Sequence, residues 1–301
     1  MANLIFKKEA ELYLVHSGTK YKIDTNEISF SQSFQEKSYE VKTLHNQVGF
    51  EGSNINRANP AEFSFNTPLL EEARHKVVFD RLLDCTTFDL YISSGQDVFK
   101  LEKCVIQDGT FEINKSRPLR LGISGEASKL SKFSGSIPGA LPNPAYPATT
   151  TYIVPQVNTL TIGGTDISSS IAALSVEVQN DISWNNYNTI QGAVTATNAA
   201  TSMFPTNFTV GTRVLAGSIT KYLKGTTLTD SVGSADLLTW NTDTALRLKA
   251  YSSSNRGIDF DITNCSFTNR LQDSGIYLEE YSWRMTQRPS ALSGVITYDT
   301  A

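Results

Sequence analysis

The chain has 301 residues, of which 40% are apolar and 19% charged. That is enough apolar surface for a packed core and too little charge for a disordered or coiled-coil chain. At roughly 100–200 residues per domain, the length predicts two domains. Its 26 Lys and Arg stand against 30 Asp and Glu, a net charge of -4, which excludes the basic excess of a protein that grips phosphates. No run approaches the ~18 apolar residues of a membrane span, and the first residues lack an apolar stretch of signal-peptide length. No membrane association is expected.

From the N-terminus, Ile28 and Phe30 open a pattern in which apolar residues recur at every second position, the period of a half-buried strand. A long polar segment follows at 38–59. Thr67 then precedes Pro68, an N-cap and first-turn proline that predict a helix over 69–83, with Leu70, Ala73, Val77 and Leu83 on one face and Glu71 and Glu72 in its first turn. Alternation resumes at Phe99 and Leu101, flanked by turn chemistry at Ser94-Gly95 and Asp108-Gly109. Five of the ten prolines fall within 131–156 (Pro138, Pro142, Pro144, Pro147 and Pro155), so a stiff, extended linker is expected there, with Gly139 to Pro147 outside any sheet. Beyond it come a Gly163-Gly164 hairpin, a strand through Leu174, Val176 and Val178, and a second polar segment at 185–207. A short helix is expected at 234–240, then a strand through Leu246 and Leu248 and a turn at 252–257.

The two parts repeat each other in order. Ile28-Ser-Phe aligns with Leu174-Ser-Val, Thr86, Phe88 and Leu90 with Thr244, Leu246 and Leu248, the stretch from Phe99 through Cys104 with that from Phe260 through Cys265, and Leu121-Gly-Ile123 with Tyr281-Ser-Trp283. The fold class expected is mainly β: two tandem β-sandwich or barrel modules, each with a flanking α-helix, over 1–130 and 157–301, with the Pro-rich linker at 131–156 between them.

Catalytic signatures are missing, so no catalytic, cofactor-binding or metal-ligating residue is assigned, and no cofactor is expected. His16, His45 and His75 lack the spacing of metal ligands, and His75 is expected at a solvated helix position. The carboxylates of Glu71/Glu72 and Glu279/Glu280 are adjacent and do not face one another. Cys85, Cys104 and Cys265 are too scattered for a disulfide framework and read as buried, reduced thiols. Trp184, Tyr187, Trp240 and Trp283 could form a stacking platform, but packing in the core or between subunits is the ordinary use of such residues.

The second part, with its Gly163-Gly164 hairpin leading into Ile167 and Leu174-Ser-Val-Glu-Val, the strand 213–223, the strand 244–251, Asp261-Ile-Thr-Asn-Cys-Ser-Phe-Thr and the closing Gly275 to Trp283, resembles the bacteriophage tail-tube protein family. The first part resembles it through Ala61 to Phe65, Thr87 to Ile92 and Phe99 to Ile106. The resemblance implies a structural, non-enzymatic virion protein, made in the host bacterial cytoplasm. It would form homo-oligomeric rings around a DNA ejection channel, with three copies giving pseudo-sixfold symmetry and with the rings stacked into a tube. The partners implied are other copies, other phage tail and baseplate proteins, and double-stranded DNA passing the lumen without specific binding. A baseplate or tail-end adaptor is the alternative within the class, and a tail-associated carbohydrate-binding module the alternative outside it. The two polar segments are candidate ring-stacking loops, through Gln47, Glu51, Asn54 and Asn56 in the first and Trp184, Asn186 and Tyr187 in the second, where Thr195 carries no assigned role. Removing residues 47–56 is expected to leave the modules folded and to prevent rods.

Overall fold

The alternating apolar positions become the core-facing sides of strands in a computed structural model that describes residues 10–41, 50–95, 97–114, 116–142, 149–169, 171–185, 203–222, 243–273, 275–287 and 291–300. The first half runs β1 (Glu11–His16), β2 (Thr19–Ile23), β3 (Ile28–Ser31), β4 (Phe34–Val41), β5 (Phe50–Ala58), β6 (Ala61–Pro68), α1 (Lys76–Asp84), β7 (Phe88–Ser93), β8 (Val98–Ile113), β9 (Arg120–Ala127) and β10 (Lys129–Phe133). The second runs β11 (Gln156–Ile162), β12 (Thr165–Asp166), β13 (Ile171–Asn185), β14 (Asn207–Tyr222), β15 (Thr244–Tyr251), β16 (Gly257–Asp273), β17 (Tyr277–Met285) and β18 (Ile296–Asp299). The chain is mainly β. Sixteen of these strands form one antiparallel sheet and β4 pairs with β5 alone, so no closed barrel forms among the described residues.

β8 and β16 are long because each serves two arms of the sheet. The first part of β8 pairs with β7 and β10, and its last part with β9 and β13. Near the changeover Lys103 takes a φ of 53°, its amide donating to Asp89 Oδ1 at 2.9 Å, and the β8–β9 ladder slips register between Ile106 and Asp108. Such bulges bend a strand where it changes partners. β16 likewise pairs with β15 and β18 through its first part and with β17 through its second. The expected Gly163-Gly164 turn is present between β11 and β12, with φ of 57° and 83°, a pair of positive angles that glycine adopts without a Cβ clash.

The expected helix is shorter than its sequence signal. Helical geometry begins only at a 3-10 turn over Ala73–His75, and α1 follows. Thr67 does not cap it: its hydroxyl donates to the Asp24 carbonyl at 2.9 Å and its backbone pairs with Leu121 in the β6–β9 ladder. Leu69 and Leu70 are both 0% exposed because the chain stays extended there. Leu69 N–H donates to Leu119 O at 2.8 Å, and Leu69 O accepts from Ile153 N–H at 3.1 Å. The Pro-rich stretch therefore lies against the first half where it is described. β10 pairs with β8, Ala140 exchanges hydrogen bonds with Gly18 and Lys20, and Leu70 bridges Tyr152.

His75 is likewise 0% exposed and not solvated. Its Nδ1–H donates to the Pro68 carbonyl at 2.6 Å, and Nε2 accepts the Asp24 amide at 3.1 Å. Asp24, Arg74 and Glu72 form an ion-paired fringe around it. Burial holds the imidazole below its ordinary range, against the opposing pull of the Pro68 carbonyl and the Asp24 carboxylate. A depressed histidine is neutral when folded, so the unfolded chain binds more protons below pH ~6.5, and stability is lost as pH falls through that window, by up to about 1.4 kcal/mol per unit. Urea denaturation at pH 7.5 and 5.5 should show a larger acid loss for the native chain than for His75→Gln. Equal losses would mean that the imidazole titrates alike in both states.

One apolar core serves both halves. Phe79 of α1 meets Phe111 of β8 edge-on at 6.1 Å, and Phe111 meets Phe260 of β16 at 5.6 Å. Tyr298 of β18 packs on Phe79, accepts the Leu70 amide at 2.9 Å and donates to the Leu70 carbonyl. All three cysteines are buried and stand outside any disulfide. Burial pushes the Cys265 thiol up to about 12 and raises Cys104 as well, so both stay protonated.

Candidate assembly surface

Eight strands follow one another in a single antiparallel row: β3, β6, β9 and the last part of β8, then β13, β14, β17 and the last part of β16. Residues opposite one another can be followed across it. Ile28 faces Phe65, Phe65 faces Ile123, and Ile123 faces Gly109. In the second half Leu174 faces Ile219, Ile219 faces Tyr281, and Tyr281 faces Asn269. The halves join where Gly109 faces Val178 and Ile113 faces Leu174.

The two faces of this row differ in chemistry because side chains alternate across a strand. One face carries Phe63, Phe65, Leu121, Phe111, Val176 and Ile219 into the core. The other is polar and mostly exposed, with serines and threonines interspersed among Glu62, Asp108, Glu112, Glu126, Glu177, Asp181 and Glu280, against Arg120, Arg270 and Arg284 among the described side chains. Acidic groups outnumber basic ones there. Glu126 is held above the usual carboxylate range, chiefly by burial and further by Glu62, against hydrogen bonds that favour its charge. A groove of about 280 Å³ beside it is lined by Ser31, Glu62, Gln107 and Glu126. Crowded carboxylates on a sheet face repel anions and hold them off the backbone.

At each end the row stops without a further strand. β3 pairs only with β6, and the last part of β16 pairs only with β17 among the described residues. Open edges of this kind are usually blunted by charge, proline or a covering segment. β3 reads Ile-Ser-Phe-Ser and carries none of these in its sequence. Ile276 and Tyr277, at the turn after β16, are 61% and 56% exposed. Leu119 stands at the matching turn between β8 and β9 and is 0% exposed, its amide bonded to Ile153 O.

The polar segments expected as loops have strand legs. Residues 50–58 pair with 34–41 as β5 and β4, so Glu51, Asn54 and Asn56 lie on a strand and not in a loop. β13 and β14 run on past their sheet partners as a long hairpin through Asn185 and Asn207. Trp184, near that end, packs against Phe208 with ring centroids 5.3 Å apart. Gln47, Asn186, Tyr187, Thr195, His45, Trp240 and the expected helix at 234–240 lie outside the described residues. Trp283 is 3% exposed in the core; it cannot serve a stacking platform. His16 donates from Nδ1–H to Thr87 O at 3.1 Å and accepts from Arg81 at Nε2 at 3.2 Å, and no metal-binding cluster occurs among the described residues. Apart from Glu280, the carboxylates of the polar face carry no sequence motif, although Glu62, Glu112 and Glu177 each lie between two apolar residues.

The Bacteriophage Baseplate Tube Protein Family model matches residues 2–298. Among solved structures, the chain is similar to a component of the anti-feeding prophage baseplate, a six-fold symmetrised cryo-EM structure, at 11% identity and a TM-score of 0.35, covering 44% of this chain and 97% of that one. No curated protein matches.

Proposed function

We propose that this chain, which belongs to the Bacteriophage Baseplate Tube Protein Family, closes as three copies into a ring that continues a phage tail tube at its baseplate, with the polar face of the eight-stranded row turned to the lumen. It is a structural phage protein of baseplate or tube type; the ring, its copy number and its place in the tail belong to the proposal. The observation that carries it is the β8–β13 seam, where two four-stranded groups already stand side by side in one sheet. A tandem duplication accounts for that arrangement. The groups share a pairing order, β8 and β16 divide their partners alike, and both β7–β8 and β15–β16 slip register at one place, between Phe88 and Leu90 and between Thr244 and Leu246.

The acidic face suits a channel through which double-stranded DNA slides without being held, since phosphates are repelled and few guanidiniums are present to bind them. The hairpins β4–β5 and β13–β14 leave the row at one end of their strands and are proposed as contacts between successive rings or neighbouring baseplate proteins. Because β4 and β5 form a sheet of their own, removing residues 47–56 should leave the sixteen-stranded sheet intact.

Negative-stain microscopy of the purified protein should show closed three-copy rings or short stacks, and the 47–56 deletion should yield rings that no longer stack. Long rods from the native chain would move the assignment from baseplate to tail tube. A monomer at every concentration would overturn the ring.

A further inference from the structure

Resting on that ring reading, we infer that the open edge of β16 in one copy pairs antiparallel with the open edge of β3 in a second copy, with Asn269 opposite Gln32 and Arg270 opposite Ser31. The chain supplies the template. The row that starts at Ile28 ends at Gly109, which faces Val178, four residues beyond Leu174. The row that starts at Leu174 ends at Asn269. Ile28 and Leu174 begin equivalent rows, so repeating the seam places Asn269 opposite the residue four beyond Ile28, which is Gln32. Parity agrees. Phe267 and Asn269 then share a face with Ile28 and Phe30, while Arg270 shares the polar face with Ser31.

Three independent features favour a second copy as the occupant. Ile276 and Tyr277 are exposed at this edge, whereas Leu119, at the matching point of the internal seam, is covered by the chain that leads into the next half. Ser31 is small and pairs on its other side with Glu62. Arg270 stands opposite Glu280 within its own chain; across the seam it would gain Glu62 as a second carboxylate, two strands and about 10 Å away between backbones, which extended arginine and glutamate side chains can bridge. The geometry also closes. Four strands with four residues of stagger, at ~3.4 Å per residue and ~4.8 Å per strand, give a tilt of about 35°, at the lower end of the barrel range. Three chains then make a barrel of roughly two dozen strands and about 45 Å backbone diameter by the same spacings.

The test is disulfide trapping in the full chain. Ser31→Cys with Arg270→Cys places Cβ atoms ~5 Å apart across the proposed pair, while Ser31→Cys with Thr268→Cys leaves them ~7–8 Å apart. The native thiols are buried. After mild oxidation the first variant should give at least tenfold more inter-chain product than the second, in a ladder that ends at three chains. Rings by microscopy with equal or no trapping would overturn this pairing and leave the ring reading in place. A ladder that runs past three chains would overturn closure at this seam, and the absence of any assembled species would overturn both.

Discussion

Phe111→Ala is expected to destabilise the chain by about 3–5 kcal/mol, the range for emptying a fully buried aromatic site. Phe111 is 0% exposed on the last part of β8, faces Val176 across the seam, and touches Phe79 of the helix and Phe260 of the second half edge-on. No other ring in the described core meets both. Its removal deletes the apolar contact and the two edge-to-face pairs at once, each pair being worth ~0.5–1.5 kcal/mol beyond burial. Surrounding strands cannot collapse into the space without breaking their ladders. Guanidinium denaturation should show one cooperative transition in both proteins, shifted to lower denaturant in the variant. A loss under about 1 kcal/mol would mean that the halves do not depend on this contact.

Gly217→Val should be nearly as damaging, about 3 kcal/mol or more, because overpacking here meets backbone. A Cβ at Gly217 would lie 2.3 Å from the Ser175 carbonyl oxygen and 2.8 Å from Trp283 Cζ2. Gly217 faces Trp283 between β14 and β17, and Phe63 faces Gly125 at the corresponding rung between β6 and β9. The aromatic and the glycine sit on opposite sides of the two rungs. A Cβ at Gly125 would meet Val105 O at 2.3 Å and Phe63 Cζ at 2.7 Å. Shortening the indole with Trp283→Leu should therefore recover only part of the Gly217→Val loss, since the Ser175 carbonyl remains in the way. Full recovery in thermal unfolding would show that the ring alone sets the limit.

Much of this architecture is legible in the sequence because a strand buried on one side must alternate. Ile28 and Phe30, Leu174, Val176 and Val178, and Leu246 and Leu248 all fall on core faces as expected. β4 and β5 give no such signal; Phe-Gln-Glu-Lys-Ser-Tyr-Glu-Val carries mostly polar residues at both phases and reads as loop. The helix start is misread because Thr67-Pro68 has the chemistry of a cap, while the Asp24 carbonyl claims that hydroxyl. Repeat alignment is limited by the same period that makes strands visible. Sequence matching sets Leu121 against Tyr281, whereas the sheet rows set Ile123 against it, and Thr244 matches Thr86 by sequence but Phe88 by its pairing with a cysteine. Both slips are of two residues, the displacement that leaves an alternating pattern unchanged. The acidic face was visible as polar phase, but which acids share a surface depends on strand order, which alternation does not encode.

The β8–β13 seam also bears on how quickly a ring could form. Its two partners are tethered within one polypeptide, so that contact forms at an effective concentration in the millimolar range instead of waiting on collisions. Half of the joints in a three-copy ring are thereby present before any encounter. In such a ring only two bimolecular encounters would remain, the third inter-chain seam closing within the assembled trimer, and dissociation would have three places at which to begin.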